Sequence, residues 1–378
     1  MTFPWINSVS SLPTPTYLID KSKLHANTDV IDRITTATNC QVILALKGFA
    51  TWHTFRWLRD HLHGVTASSI YEARLGVEEF KRSVHVHSVA MHPKECAQYN
   101  ALADHITFNS IHQWRQFTTN VPTVSARLGL RINPGVGHAP TQKYDPCSPM
   151  SRLGIPMATL APSLLSKIDG LHFHALCEQN LPPLRIILDA IEDYFGDHLH
   201  QLSWMNWGGG HLLTDADYAV SDLIELIQRW QSTYGLRVIL EPGEAIGRHC
   251  GYYVGTVLDI IHNDVPTLIC DVSITAHMPD VLEYPYTPDI LNAVASGPHT
   301  YYIGGNTCLA GDVMGPYHFN APVRIGDPLV FLDMGHYTLV KTSNFNGVNQ
   351  PSIGIIHEDQ TIRMVSESCY FNFKERLS

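Results

Sequence analysis

Short runs rich in apolar and β-branched residues, each closed by turn residues and followed by a helix-length stretch, recur through the first two thirds of the chain. The runs cover residues 41–47, 64–68, 84–90, 105–109, 125–133, 170–176, 203–210 and 237–244, and segments such as 70–80 and 217–234 have helical character. Eight strand–helix units between about 41 and 250 predict an α/β fold, a (β/α)8 barrel of the TIM type. Such a barrel needs roughly 250 residues, and the chain has 378. Beyond Gly251, glycine, proline and aromatic residues appear among short extended runs at 252–260, 267–270, 301–303, 328–332 and 362–366, which predicts a second, β-rich domain. The run 16–20 precedes the barrel and is expected to pair into that domain. The expected division is therefore 37–250 for the barrel, and 1–36 with 251–378 for the β-rich domain.

Barrels of this kind carry their chemistry on the loops at the C-terminal ends of the strands. Here those ends are polar or glycine-rich: Lys47 on the first, Arg131 and Asn133 on the fifth, His172 and His174 on the sixth, Gly208, Gly209 and Gly210 on the seventh, Glu241 on the eighth. A lysine desolvated at a strand end has a depressed pKa and can form an imine with a carbonyl. A glycine triplet exposes backbone N–H groups that can cradle a phosphate. A carboxylate such as Glu241 can pair with the ring nitrogen of pyridoxal phosphate and keep it protonated, and His174 can stack on such a ring. Each residue also has a plainer reading: a rim lysine, a flexible turn, a structural ion pair, a core histidine. His85-Val86-His87 and His172-Phe173-His174 additionally permit a metal-hydrolase reading, since alternate strand residues share a face. That reading leaves Lys47 without a role.

Composition narrows the field. A formal net charge of −10 argues against a nucleic-acid partner, whose phosphates select clustered Lys and Arg. With 44% hydrophobic and 16% charged residues the chain reads as a soluble globule. Its eight cysteines include no CxxC pair, which suggests reduced thiols in a cytoplasm. No apolar stretch reaches the roughly 18 residues of a membrane span, and the first twelve residues do not have the form of a secretion signal.

Taken in order, Pro15-Thr16-Tyr17-Leu18-Ile19-Asp20, Ala45-Leu46-Lys47, Ser151-Arg152-Leu153-Gly154, Gly170-Leu171-His172-Phe173-His174, Trp207-Gly208-Gly209-Gly210, Glu241-Pro242-Gly243, Cys308-Leu309-Ala310-Gly311-Asp312 and Phe345-Asn346-Gly347 resemble the fold-type III pyridoxal-phosphate decarboxylases, which share the alanine-racemase-like barrel. The resemblance spans nearly the whole chain. It implies Lys47 as the Schiff-base lysine, His174 as the ring-stacking histidine, Gly208 to Gly210 as the phosphate loop and Glu241 as the partner of the pyridine nitrogen. It further implies Arg131 beneath the cofactor, Tyr337 on the phosphate, and an obligate homodimer in which the segment 308–312 of one subunit completes the site of the other. Cys308 is then the candidate proton donor, its plainer reading being a buried thiol.

Within that family the chain is most similar to the carboxynorspermidine decarboxylase branch, through His277-Met278-Pro279-Asp280-Val281-Leu282-Glu283 and Glu241-Pro242-Gly243-Glu244. Diaminopimelate and ornithine decarboxylases usually carry arginine where this chain has Glu244, and an acidic residue where it has Leu309. Replacing a cation by an anion favours a substrate with a cationic tail over one with a distal carboxylate. Glu244, Asp280, Glu283 and Asp312 are the candidate substrate-binding residues, the first three also readable as solvated rim acids. The expected activity is decarboxylation of carboxynorspermidine and of carboxyspermidine in polyamine biosynthesis. Diaminopimelate decarboxylase and a non-catalytic pyridoxal-phosphate-binding protein are the alternatives.

Overall fold

The computed structural model describes residues 4–284 and 286–378 and resolves the chain into two compact units, Asn27–Ile246 and Met1–Ala26 with Gly247–Ser378. The first strand, β1 (Thr16–Asp20), belongs to the second of these.

Asn27–Ile246 is the barrel. Its strands are β2 (Gln41–Ala45), β3 (Gly64–Ala67), β4 (Ser83–Ser88), β5 (His105–Phe108), β6 (Arg127–Asn133), β8 (Gly170–His172), β9 (Trp204–Asn206) and β10 (Arg237–Leu240), with the two-residue β7 (Ile155–Pro156) beside β6. All pair in parallel, and the β10–β2 and β5–β6 ladders close the circle. The expected barrel is therefore present, but most of its strands stop earlier than the apolar runs suggest. The run 170–176 keeps only three strand residues, as does 203–210. At this mouth side chains and glycine turns take over the backbone bonding.

The barrel interior is layered by the two-residue period of its strands. Ile43, Trp204 and Ile239 pack together in one layer. The Trp204 indole lies over Gly129 and Gly170, where a Cβ would come within 2.3 and 2.1 Å of the ring, so these two positions admit only glycine. Two residues further along the same strands or their extensions stand Ala45, Arg131, His172, Asn206 and Glu241. The bulky floor thus raises a polar layer directly beneath the loops. Amphipathic helices cover the outside; Val220–Tyr234 buries Leu223, Leu226, Ile227 and Trp230 and ends on Gly235 in the left-handed region, with φ +69°.

The second unit is built on a sheet. The strand order is β13 (Ala293–Val294), β15 (Val313–Phe319), β14 (His299–Gly304), β12 (Thr267–Cys270), β11 (Gly251–Ile261), β1, β17 (Ser352–Ile356) and β18 (Ile362–Ser366), with β16 (Pro328–Leu332) paired to β11. As expected, β1 joins this sheet, lying between β11 and β17 and buried along its whole length. Tyr17 and Tyr253 stack at 4.4 Å in a core that includes Cys270, Ile303 and Phe331. Three strands, β13, β15 and β17, escape the sequence pattern. Gly315-Pro316 interrupts β15, and Gly354 in β17 lies so close to Leu18 that a Cβ would come within 2.9 Å of that side chain. Among the described residues no helix is long and apolar enough to cross a membrane.

Candidate active site

Lys47 occupies the turn after β2, where the Gly48 and Phe49 amides both donate to the Ala45 carbonyl, at 3.0 and 3.2 Å. Its side chain touches solvent at the barrel mouth, yet the surrounding protein takes away much of its bulk hydration. That loss lowers its pKa, Arg131 lowers it further, and Glu241, Cys177 and Glu72 pull the other way. A lowered pKa puts more of the amine in its neutral, nucleophilic form.

Glu241 is a closely held charge of the barrel. Its Oε1 accepts from Nδ2 of Asn206 at 2.6 Å, and its Oε2 faces Nε2 of His172 at 3.3 Å. Burial pushes the carboxyl up, but His172 and the Asn206 bond outweigh it and hold its pKa near 2. Burial acts in the opposite sense on His172, lowering its pKa against the pull of Glu241. The pair is therefore a neutral imidazole donating to an ionised carboxylate.

Arg131 stands beside His172 on the neighbouring strand β6. Its Nη1 is 2.9 Å from Nε2 of His87 and its Nη2 donates to the His174 carbonyl at 3.3 Å. Burial lowers its pKa to about 10, which leaves it cationic near neutrality. His174 accepts from the Gly209 amide on Nδ1 at 2.9 Å, and burial keeps its pKa well below the usual histidine range. The Gly208 amide donates to Oδ1 of Asn206 at 2.8 Å. Two of the three amides expected to cradle a phosphate are thus bonded within the protein, and Gly210 is the one of the triplet without an internal acceptor among the described residues. The triplet is also required sterically: a Cβ would meet the Phe173, Glu241 or Leu176 carbonyl at 2.4, 2.3 or 2.0 Å respectively.

The four histidines open to a metal reading are committed to separate tasks. His85 stacks on His105 at 4.0 Å, His87 meets Arg131, His172 meets Glu241, and His174 meets Gly209. Among the described residues no group of three or more His, Cys, Asp or Glu side chains could hold a metal ion.

Other motifs brace the mouth. Asn109 donates to the Arg152 carbonyl and accepts from Gly154, fixing the Ser151–Gly154 segment. Glu72 accepts from the Ser68 amide at 2.6 Å while Ser69 caps the helix Ile70–Leu75. Glu244, half-buried, opens the short helix Glu244–Gly247. The Cys177 thiol is raised to about 11 by burial and by Glu178 and Glu244, against the influence of Lys47. Glu244, Cys177 and Lys47 therefore share one electrostatic neighbourhood. Asn206, Cys177 and Glu72 were not legible as site residues in the sequence; for Asn206 the available signal was its place on the inward face, two residues after Trp204 and two before the glycine triplet.

The remaining candidates belong to the sheet unit. Cys308 is exposed, and its amide donates to Oδ1 of Asn346 at 2.8 Å. Asp312 is buried: Oδ1 accepts from the Ile274 and Thr275 amides at 2.7 and 3.0 Å, and Oδ2 from the Ser273 and Thr307 hydroxyls at 2.9 and 2.6 Å. Both its oxygens thus anchor the Cys308 loop to the helix Ile274–His277. Asp280 accepts on Oδ2 from Thr338 and Tyr286, both at 2.8 Å. Glu283 pairs with Lys341. Tyr337, half-buried, begins the short helix Tyr337–Lys341.

A barrel mouth with a lysine of lowered pKa, a buried anion, a buried cation and a glycine turn defines a site for an anionic, electron-accepting cofactor. Comparison with known proteins gives the class. Residues 16–335 match the family model described as pyridoxal-dependent decarboxylase, C-terminal sheet domain. A carboxyaminopropylagmatine decarboxylase of Synechocystis sp. is 42% identical over 376 residues, covering 98% of this chain and 96% of that protein. A carboxynorspermidine/carboxyspermidine decarboxylase of Campylobacter jejuni is 38% identical, covering 97% and 98%. The crystal structure of carboxynorspermidine decarboxylase from Campylobacter jejuni, complexed with norspermidine, superposes with a TM-score of 0.88 at 36% identity, covering 97% of this chain and 100% of that one. The chain belongs to the pyridoxal-dependent decarboxylases, and pyridoxal phosphate is its cofactor.

Proposed function

We propose that this chain removes the α-carboxylate of carboxynorspermidine and carboxyspermidine, yielding norspermidine and spermidine. The observation that carries the reading is Glu244, an anion near Cys177 and Lys47 at the barrel mouth, where a cationic tail finds a partner. A charge-assisted hydrogen bond between a carboxylate and an ammonium contributes about 1.5–3 kcal/mol. Two relatives of related substrate chemistry support it.

When bound, pyridoxal phosphate supplies an electrophilic carbonyl and a conjugated ring that accepts the electron pair left when CO2 departs. The residues fit that group. Lys47 would offer the neutral amine that holds the cofactor covalently and that a substrate amine could replace. Glu241, kept ionised, would be the partner of the ring nitrogen and favour its protonated form. Gly210 would donate to the phosphate, Arg131 would lie beneath the cofactor and His174 would stack on its ring, while Tyr337 is the sheet unit's candidate for phosphate contact. Cys308 would be the proton donor to the former α-carbon. Glu244 is the barrel's candidate for the cationic tail and Asp280 that of the sheet unit; Glu283 is already neutralised by Lys341, and Asp312 holds the Cys308 loop in shape.

We also propose a homodimer that shares its sites through the segment 308–312. In a single chain Cys308 is exposed, and so are Leu309 and Phe345, at 47% and 46%. A cytoplasmic setting suits eight free cysteines.

A second reading, decarboxylation of carboxyaminopropylagmatine, is favoured by the 42% identity to the Synechocystis enzyme and differs in placing a guanidinium at the tail. Amine-product assays on the carboxylated polyamines, carboxyaminopropylagmatine and diaminopimelate separate these. The expected result is kcat/KM for carboxynorspermidine at least about tenfold above that for diaminopimelate. Preference for carboxyaminopropylagmatine selects the second reading, and turnover confined to diaminopimelate removes both.

A further inference from the structure

Glu241 is held by a closed ring of three hydrogen bonds. The Glu241 amide donates to the Gly208 carbonyl at 2.8 Å, the Gly208 amide donates to Oδ1 of Asn206 at 2.8 Å, and Nδ2 of Asn206 donates to Oε1 of Glu241 at 2.6 Å. The ring ties the end of β9, the glycine turn and the last barrel strand into one unit. Asn206 is 2% exposed, so these bonds form away from bulk water.

The amide can adopt only one orientation. An ionised carboxylate accepts and never donates, and a backbone N–H only donates, so nitrogen must face Glu241 and oxygen must face Gly208. Among side chains of this size, only asparagine presents a donor to one side and an acceptor to the other in every protonation state. Leucine of equal bulk would leave both partners unsatisfied, and burial would then drive Glu241 toward its neutral form. His172, facing the other oxygen at 3.3 Å, is the longer of the two contacts and cannot replace the lost donor.

We propose that Asn206 is a positioning residue for decarboxylation: it keeps Glu241 ionised and aimed into the barrel mouth while setting the conformation of the Gly208–Gly210 turn. The inference rests on the assignment of Glu241 to the cofactor ring nitrogen. It is independent of which amino acid is the substrate, because cofactor binding alone reads it.

The test is a double-mutant cycle with Asn206→Leu and Glu241→Gln in the full-length protein, read in two ways. Pyridoxal phosphate affinity is titrated into resolved protein by its visible band, and kcat is expressed per bound cofactor. Asn206→Leu is expected to weaken affinity and to lower kcat by at least about tenfold each, with KM within about twofold of the parent. In the Glu241→Gln background the same change should lower kcat by less than about threefold, because the effect on kcat runs through Glu241, whereas the loss of affinity through the glycine turn persists. Equal losses of kcat in both backgrounds, or an Asn206→Leu protein within about twofold of the parent in both readouts, overturn the proposal. Should Asn206→Leu not fold, Asn206→Ala carries the same cycle with the same criteria, since a methyl group satisfies neither of the two partners. Failure of the Glu241 assignment is distinguishable: Glu241→Gln alone would then leave kcat per bound cofactor unchanged.

Discussion

Nη1 of Arg131 lies 2.9 Å from Nε2 of His87, and Nδ1 of the same imidazole lies 3.1 Å from the Thr107 carbonyl. Arginine is only a donor, so Nε2 must accept and Nδ1 must carry the proton. Burial, followed by Arg131 itself, keeps the pKa of His87 far below the usual range, which preserves this neutral acceptor. His87→Leu is therefore expected to loosen Arg131 and weaken pyridoxal phosphate binding about three- to tenfold, at about 1 kcal/mol for a hydrogen bond to a charged group partly made good by the His174 carbonyl. Titration of the visible band measures it. Unchanged affinity would remove Arg131, or its tether, from cofactor binding.

The barrel should lose stability in mild acid. His211 is buried with its pKa lowered to about 4 by burial, from 6.5 in the unfolded chain, and His85, His87, His172 and His174 are lowered as well. A base whose folded pKa is depressed lets the unfolded chain take protons first, so its stability contribution is full above about pH 6.5 and lost as pH falls toward the folded value. Glu241, near 2, acts in the same direction but only below about pH 4.5. For His211 alone the loss at pH 5 is about 2 kcal/mol. Thermal melts at pH 7.5 and 5.0 should show a clearly lower Tm at pH 5.0. An equal or higher Tm there contradicts the assignment of these histidines as buried and neutral.

The two-residue period and the turn residues made the barrel legible, because Ile43, Trp204 and Ile239 recur where an inward face needs bulk. Lys47, Arg131, His174 and Glu241 stood out as polar groups ending apolar runs. Asn206 did not, since its meaning lies in two bonds to Gly208 and Glu241 that are distant or turned in sequence. The committed states of Glu283 and Asp312 were equally hidden: their partners, Lys341 and the Ile274–His277 helix start, lie 58 and 38 residues away for the bonds concerned. The strands β15 and β17 were lost to glycines whose need arises from neighbouring side chains.

Cys308→Ala should bind pyridoxal phosphate as the parent does, yet turn over slowly or protonate the wrong carbon, releasing an aldehyde and pyridoxamine phosphate. Lys47→Ala chains, which are inactive, and Cys308→Ala chains, which are impaired, should when mixed form more amine product than either forms alone. Product analysis by mass spectrometry and activity after subunit exchange measure the two effects. No recovery despite exchange would mean that each chain builds its site alone.

Charge should govern specificity. Glu244→Gln or Asp280→Asn is expected to reduce kcat/KM for carboxynorspermidine at least about tenfold with the visible spectrum unchanged, as loss of one charge-assisted bond implies. Glu283→Gln, by contrast, should change kcat/KM by less than about threefold, because Lys341 already pairs with that carboxylate. Steady-state kinetics on the three variants check the ranking. Equal kinetics in all three would leave the decarboxylase standing and remove this account of its substrate.

The central claim is that the barrel mouth is organised around Lys47 as the residue that holds pyridoxal phosphate. Among the candidates Lys47 is the one that carries an amine, and it stands just past a strand end with a pKa lowered by lost hydration and by Arg131. Borohydride reduction of the holoenzyme, followed by peptide mapping, locates the modified amine directly. The account predicts a single pyridoxyl group on Lys47, and no visible cofactor band in Lys47→Ala. A reduced adduct on any other lysine, or an undiminished band in Lys47→Ala, would contradict it.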